Sequence, residues 1–273
     1  MHPDILELVD LALREDIGSG DATTSACIPA DQQARGRYFA RQDAVVFGLL
    51  LLPVIFEKRG GAELRLLVND GDAVTKGTPV ADVSGRAQTL LECERVSLNF
   101  LQRLSGCATL ARAYANEVAH TKCKVLDTRK TTPGLRRLEK MAAAAGGVTN
   151  HRMGLYDAIL IKNNHITAAG GVKAALERVR GSELLVEIEV RTREELDEAL
   201  ANGARNLLLD NLTPSEAREW IAYIDGRASV ELSGNINLAT VRSYAETGAD
   251  YVSCGAITHS YLSADFNFRV ELV

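Results

Sequence analysis

Residues 184–211, LLVEIEVRTREELDEALANGARNLLLDN, hold one complete strand–helix–strand unit. The apolar run Leu184–Val190 reads as a strand interrupted only by Glu187 and Glu189 at alternate positions. Thr192, followed three residues later by Glu195, is a capping-box pattern, and Gly203 stops the helix that it starts. A second apolar run, Asn206–Leu209, then ends in Asp210-Asn211. Two strands joined by a helix of this length run parallel, because the crossover carries the chain back to the same end of the sheet.

The same rhythm extends in both directions from about Lys122 onward. Candidate strands are Cys123–Leu126, Ala158–Ile161, Ser229–Leu232 and Asp250–Ser253, and Thr213-Pro214 with Glu216 marks another helix start. Repeated units of this kind predict a parallel sheet covered by helices, either a barrel or an open doubly wound sheet. Upstream, Thr89–Ala119 reads as a long helical run, interrupted near Ser105-Gly106. The first third is mixed: a helix-like Ile5–Arg14, a loop Glu15–Thr24, and strand-like Arg35–Arg41, Leu64–Asn69 and Val80–Ser84, which together suggest a small α+β domain. The turn-rich Asp70–Pro79 segment has a faint likeness to a biotinyl hairpin but lacks a second half that presents a lysine, so it reads as two turns between strands.

With 273 residues, 46% hydrophobic and 25% charged, the chain can bury a sizeable core. A net charge of −5 gives no overall basic footprint for nucleic acid or an anionic membrane, so any anionic ligand needs a local cationic cluster. The cysteines Cys27, Cys93, Cys107, Cys123 and Cys254 include no CxxC pair, which argues against a zinc ribbon and a disulfide framework. The N-terminus has no signal-peptide pattern, and the longest apolar run, Val45–Phe56, is broken by Gly48 and Pro53 and falls short of the roughly 20 residues that span a bilayer. A cytoplasmic protein is expected.

Polar residues collect at the strand ends. Asp127-Thr128-Arg129-Lys130, Lys162-Asn163-Asn164-His165, Asp210-Asn211, Ser233-Gly234-Asn235 and Cys254-Gly255 each follow a candidate strand. Any one such cluster is ordinary loop polarity. In a β/α barrel, however, C-terminal strand ends converge on the face that carries the active site. Arg129, Lys130, Arg152 and Lys162 would then form a patch suited to carboxylates and phosphates. Glu189 and Asp210, at the inner ends of apolar strands, need a metal ion, a ribose hydroxyl or an ion pair with Lys130 or Lys162. Gly234 and Gly255 leave backbone N–H groups open to a phosphate. His151, beside Arg152 in a glycine-flanked loop, is open between a structural role and an anion-binding one. Arg136-Arg137 and the acidic run Glu194–Glu198 read as solvated helix faces.

Several of these stretches carry a family resemblance: Asp127–Arg136 (DTRKTTPGLR), Gly146-Gly147 through Asn150-His151-Arg152, and Leu160–Ile166 (LIKNNHI). With Glu15–Asp21, Glu94–Phe100, Leu104-Ser105-Gly106, Val186–Val190, Leu209–Asn211 and Val230–Asn235, they cover almost the whole chain in order and resemble the quinolinate phosphoribosyltransferase family. The departures are Met141, where an aromatic residue is expected, and the plain stretch Ala142–Ala145.

The resemblance implies an incomplete α/β barrel of six or seven parallel strands (residues 106–261). It also implies an N-terminal α+β sandwich (residues 1–105) rejoined by the tail 262–273, with Phe266–Val273 as its strand. The implied enzyme is a pentosyltransferase that joins quinolinate to phosphoribosyl pyrophosphate, releasing nicotinate mononucleotide, pyrophosphate and carbon dioxide in NAD biosynthesis. By position, Arg129, His151 and Arg152 would clasp the quinolinate carboxylates beside Lys162, and Arg95 would join them from a second protomer of a homodimer, or of a hexamer built from dimers. Lys130 would contact phosphoribosyl pyrophosphate, Glu189 and Asp210 the ribose and Mg2+, and Ser233, Gly234, Gly255 and His259 the 5-phosphate. The rival readings are a related pyridine phosphoribosyltransferase with a changed acceptor and a non-catalytic anion-binding homologue.

Overall fold

Where the sequence places a loop over Glu15–Thr24, the chain instead starts a second helix. The structure, a computed structural model, describes residues 1–272. Helix α1 (Pro3–Ile17) ends at Gly18, and α2 (Ala22–Cys27) begins at once because Asp21 accepts the Thr24 N–H at 2.9 Å. There follow β1 (Gln33–Ala40), β2 (Ala44–Val45), α3 (Leu52–Glu57), β3 (Glu63–Leu66), β4 (Ala73–Val74) and β5 (Pro79–Arg86). The 32-residue helix α4 (Ala87–Val118) comes next.

The remainder alternates: β6 (Lys124–Leu126), α5 (Arg136–Ala145), β7 (Ile159–Ile161), α6 (Asn163–Ala169), α7 (Val172–Arg178), β8 (Val186–Val190), α8 (Arg193–Ala201) and β9 (Asn206–Asp210). It closes with α9 (Pro214–Ile224), β10 (Ser229–Ser233), α10 (Val241–Ala245), β11 (Tyr251–Ser253), α11 (Ala256–His259) and β12 (Phe266–Leu272).

Two compact units result: residues 1–112, 132–146 and 261–273, and residues 113–131 and 147–260. In the first, an antiparallel sheet has the order β12-β1-β5-β3, so the C-terminal strand does return to pair with β1. Val273 lies outside the described residues. Along β1 burial alternates strictly, with Ala34, Gly36, Tyr38 and Ala40 inward and Arg35 and Arg37 outward. Gly36 is required by its neighbour, because a Cβ there would fall 2.0 Å from the Phe268 ring. That space lets Phe268 stack 4.5 Å from Tyr38, whose buried hydroxyl meets Ser97 Oγ at 2.7 Å.

Helix α4 is continuous, with no break at Ser105-Gly106. The small residues serve close packing: Ser105 Oγ accepts the Phe47 N–H at 2.9 Å, and a Cβ on Gly106 would stand 2.1 Å from the Leu262 carbonyl oxygen. In the plain Ala142–Ala145 stretch, the first two alanines have the same cause. Ala142 and Ala143 are fully buried, and Gly146 lies so near Ala108 that a Cβ would approach its carbonyl oxygen to 2.4 Å. Helix α5 thus belongs to the first unit, whereas the boundary read from sequence groups it with 106–261. Arg112 ties its C-terminal end there, donating to the Gly146 and Ala145 carbonyls at 2.8 and 3.2 Å.

The second unit is a six-stranded parallel sheet in the order β6-β11-β10-β9-β8-β7. The first strand pairs with the last, as in a barrel, but β6 and β7 form no ladder; a single parallel bridge, Leu126 to Thr149, stands at that position. All six strands match those read from the sequence to within two residues. The caps behave locally as expected: Thr192 accepts the Glu195 N–H at 3.2 Å, and Thr213 and Glu216 cap each other's backbone at the start of α9.

Candidate active site

The C-terminal ends of the barrel strands surround one cavity of about 820 Å³. Arg129, Lys130, His151, Arg152, Lys162, Glu189, Asp210, Ser233, Gly234, Gly255 and His259 all line it. Arg95 belongs to the first unit, where it is an exposed residue of α4. A second depression, of about 730 Å³, lies on the outer face of the antiparallel sheet. Its charges include cross-strand neighbours such as Arg37 and Asp82, as expected of a solvated face.

The loop carrying His151 and Arg152 is bracketed by two carboxylates. At the end of β6, the fully buried Asp127 accepts the Asn150 side-chain N–H at 2.6 Å and the His151 backbone N–H at 2.8 Å. Asp157 accepts the backbone N–H groups of Met153 and Gly154 at 2.6 and 2.9 Å. Arg152 donates through Nη1 to the Ala158 carbonyl at 3.0 Å. Its guanidinium pKa is lowered first by burial and then by the neighbouring charge of Arg129. Two cations held together in a partly dry mouth make a site that an anion relieves.

The His151 ring faces inward. Its Nε2 lies 3.4 Å from Glu187 Oε2 and 3.4 Å from Glu231 Oε2, and Nδ1 accepts the Arg152 N–H at 2.6 Å. Burial opposes a charge on the ring, but the two carboxylates outweigh it and push its pKa up to about 9; burial also raises Glu187. The same net charge arises whether the shared proton sits on the ring or on Glu187, and only the second arrangement leaves Nδ1 bare to accept the Arg152 amide.

Lys162 opens α6, where His165 Nδ1 accepts its backbone N–H at 2.9 Å, and its Nζ stands 3.6 Å from the buried Glu189. The ion pair considered from the sequence is therefore present. Asp210 accepts from Ser233 Oγ at 2.6 Å and from Asn211 Nδ2 at 2.7 Å, a contact set by the pairing of Ser233 with Asp210 across β9 and β10. Gly234 has φ +99°, and a Cβ on it would sit 2.3 Å from Asn211 Oδ1. A neighbouring side chain thus demands glycine here independently of any phosphate.

Gly255 has the same kind of crowding, with Lys130 Cδ 2.9 Å and His259 Nε2 3.0 Å from where a Cβ would be. The buried Thr258 hydroxyl donates to the Lys130 carbonyl at 2.8 Å, so β6 and β11 present their end loops as one piece.

Sequence reasoning named most of this lining but missed Glu231, and it gave no role to Glu187, which stands beside His151. The available signal was a carboxylate at an inward position of an apolar strand, in Val186-Glu187-Ile188-Glu189-Val190 and again in Val230-Glu231-Leu232. Their shared partner, His151, lies on a distant loop, and no local pattern announces it.

A parallel barrel whose strand-end mouth sets four cations against buried acids defines a site for small polyanionic substrates. Comparison with known proteins narrows this. Residues 21–105 match the N-terminal domain of quinolinate phosphoribosyl transferase and residues 107–269 its C-terminal domain. Over 295 residues the chain is 40% identical to "Quinolinate phosphoribosyltransferase [decarboxylating] 2, mitochondrial" of Nicotiana glauca, covering 99% of this chain and 84% of that one. It is 38% identical to the "Probable nicotinate-nucleotide pyrophosphorylase [carboxylating]" of Bacillus subtilis, covering 99% and 95%. The crystal structure of NadC from Streptococcus pyogenes superposes with a TM-score of 0.95 at 38% identity, covering 100% and 99% of the two chains. The chain belongs to the quinolinate phosphoribosyltransferase family.

Proposed function

We propose that this chain transfers the phosphoribosyl group of phosphoribosyl pyrophosphate to the ring nitrogen of quinolinate, forming nicotinate mononucleotide, pyrophosphate and carbon dioxide for NAD biosynthesis. The observation that carries the reading is the single mouth in which Arg129, Lys130, Arg152 and Lys162 face the carboxylates of Glu189 and Asp210. Both substrates are polyanions, and the transferred carbon passes through a cation-like state, so the reaction needs cations and carboxylates side by side.

Arg129, His151 and Arg152 form the clasp for the two quinolinate carboxylates. Lys130 takes a phosphate of the second substrate, and Ser233, Gly234, Gly255 and His259 its 5-phosphate end. The pyridine nitrogen attacks the anomeric carbon while its bond to pyrophosphate breaks, which Lys162 and the fixed mouth assist by orientation. Loss of the 2-carboxylate as carbon dioxide then leaves an electron pair on the ring carbon, which takes up a proton. Glu189 and Asp210 are hard oxygen donors at neighbouring strand ends, the donor type that Mg2+ prefers. When bound, the ion would neutralise pyrophosphate charge.

Arg95 would complete the clasp from a second protomer of a homodimer. Among the described residues no helix is long and apolar enough to cross a membrane. All five cysteines are free thiols, the state a reducing compartment such as the cytoplasm maintains. The test is incubation with quinolinate, phosphoribosyl pyrophosphate and Mg2+, following nicotinate mononucleotide and carbon dioxide together. Equal release of both is expected. Product from nicotinate alone, or none from either acceptor, would overturn the reading.

A further inference from the structure

We propose that Glu187, Glu231 and His151 form a positioning unit that sets Arg152 in the quinolinate clasp from inside the barrel. The inference rests on the function proposed above: that reading gives Glu187 and Glu231 no role and counts His151 as a direct carboxylate contact, which is here replaced by a role through Arg152. Three observations meet on this ring.

The first is enclosure: the His151 side chain is 15% exposed, and the Glu187 and Glu231 side chains are 7% and 4% exposed. The second is that both ring nitrogens are engaged with protein groups, Nε2 at 3.4 Å from each carboxylate and Nδ1 at 2.6 Å from the Arg152 amide. The third is that the backbone on the other side of the ring is equally held, since the His151 N–H is bound by the buried Asp127. Carboxylates on β8 and β10 therefore fix the rotation of a ring whose opposite edge fixes the amide of Arg152. A guanidinium on a long side chain reaches a carboxylate bidentately only if its Cα and entry direction are set, because small displacements break the paired geometry. In this arrangement His151 acts through Arg152.

The chemistry of each atom suggests the test. In His151→Asn the amide oxygen falls near the place of Nδ1 and can accept the Arg152 N–H. In His151→Gln the polar atoms move out toward the carboxylates and that acceptor is lost. Glu231→Gln keeps the shape but removes the charge that orients the ring. Steady-state kinetics with quinolinate and phosphoribosyl pyrophosphate varied separately, together with thermal melts, read out all three.

The expected result is a rise of about 10-fold or more in the quinolinate KM for His151→Gln and Glu231→Gln. The phosphoribosyl pyrophosphate KM should stay within about 2-fold, and His151→Asn, which keeps an acceptor for the Arg152 N–H but no longer reaches the carboxylates, should recover part of the loss. Equal impairment in Asn and Gln variants, or both KM values rising together with a falling Tm, would overturn the proposal. If His151→Gln does not fold, the KM split in Glu231→Gln decides. The three ligand atoms lie within 4.8 Å of one another, a spacing that a divalent cation could also satisfy. Elemental analysis that finds a stoichiometric metal lost in Glu231→Gln would replace the proposal with a metal site. Wild-type protein inactive on quinolinate would instead remove the functional reading beneath it.

Discussion

Replacing Arg152 by Ala separates the two demands that this residue meets. In the protein without substrate it contributes little to stability: burial and the neighbouring Arg129 both disfavour its charge, and its side chain makes one hydrogen bond to the Ala158 carbonyl at 3.0 Å. Losing that bond costs about 1 kcal/mol, against which relief of the Arg129 repulsion works, so Tm should move by less than about 4 °C. With substrate present, the same truncation leaves a carboxylate without its fork. By analogy with other charged partners, that loss costs about 2–4 kcal/mol of transition-state stabilisation. At about 1.4 kcal/mol per decade the corresponding fall in kcat/KM for quinolinate is roughly 30- to 700-fold. Arg152→Lys keeps a charge without the planar fork and should fall between wild type and Ala. The assay is initial-rate kinetics at saturating phosphoribosyl pyrophosphate, with a melt of each variant as control. A near-normal kcat/KM in Arg152→Ala would refute the assigned contact, and a large Tm loss would show that the residue is structural.

Asp70 accepts the N–H groups of Gly48, Leu49 and Leu50 at 2.8, 2.9 and 3.0 Å, so Asp70→Ala orphans three donors at a helix start and should destabilise by about 2–4 kcal/mol. Asp70→Asn, with one acceptor left, should lose less in urea melts. Burial pushes the Asp250 carboxyl up, but the Val230 N–H at 3.0 Å and Lys122 at 3.0 Å outweigh it and hold its pKa below the ordinary range. A depressed folded pKa gives stability that is present above the unfolded value of about 3.9 and lost as pH falls through the folded one. Asp250→Asn should therefore lower the urea midpoint at pH 7, with the gap from wild type narrowing as pH falls below the unfolded value; a gap independent of pH would contradict this. If sites are shared across a dimer, inactive Arg95→Ala and Lys130→Ala proteins should regain about a quarter of wild-type activity after unfolding and refolding together, since half the dimers are mixed and each mixed dimer holds one intact site. No recovery would exclude the shared site.

The parts legible in the chain are those decided by neighbours in sequence. Leu184–Val190 and the other barrel strands are short apolar runs bounded by caps that work within four residues, such as Thr192 with Glu195 and Thr213 with Glu216. Their parallel order follows from the helix between each pair, and their polar ends mark the mouth. Arg129, Lys130, Lys162, Glu189 and Asp210 could be named for that reason.

Only the tertiary structure decided the rest. Gly106 looks like a helix break because glycine is locally a poor helix former, yet α4 runs through it; the reason for glycine is the Leu262 carbonyl. Gly234 looks like a phosphate loop, and its missing Cβ makes room for Asn211. Glu187 and Glu231 stand in apolar strands with no local partner in sequence, and become members of one buried unit when the barrel brings β8, β10 and the His151 loop together. By itself, then, the sequence determined which segments become strands and helices and which ends carry charge, because capping and periodicity act over a few residues. The folded chain decided which of those charges meet, because contacts between distant segments depend on register and on crowding that no local pattern encodes.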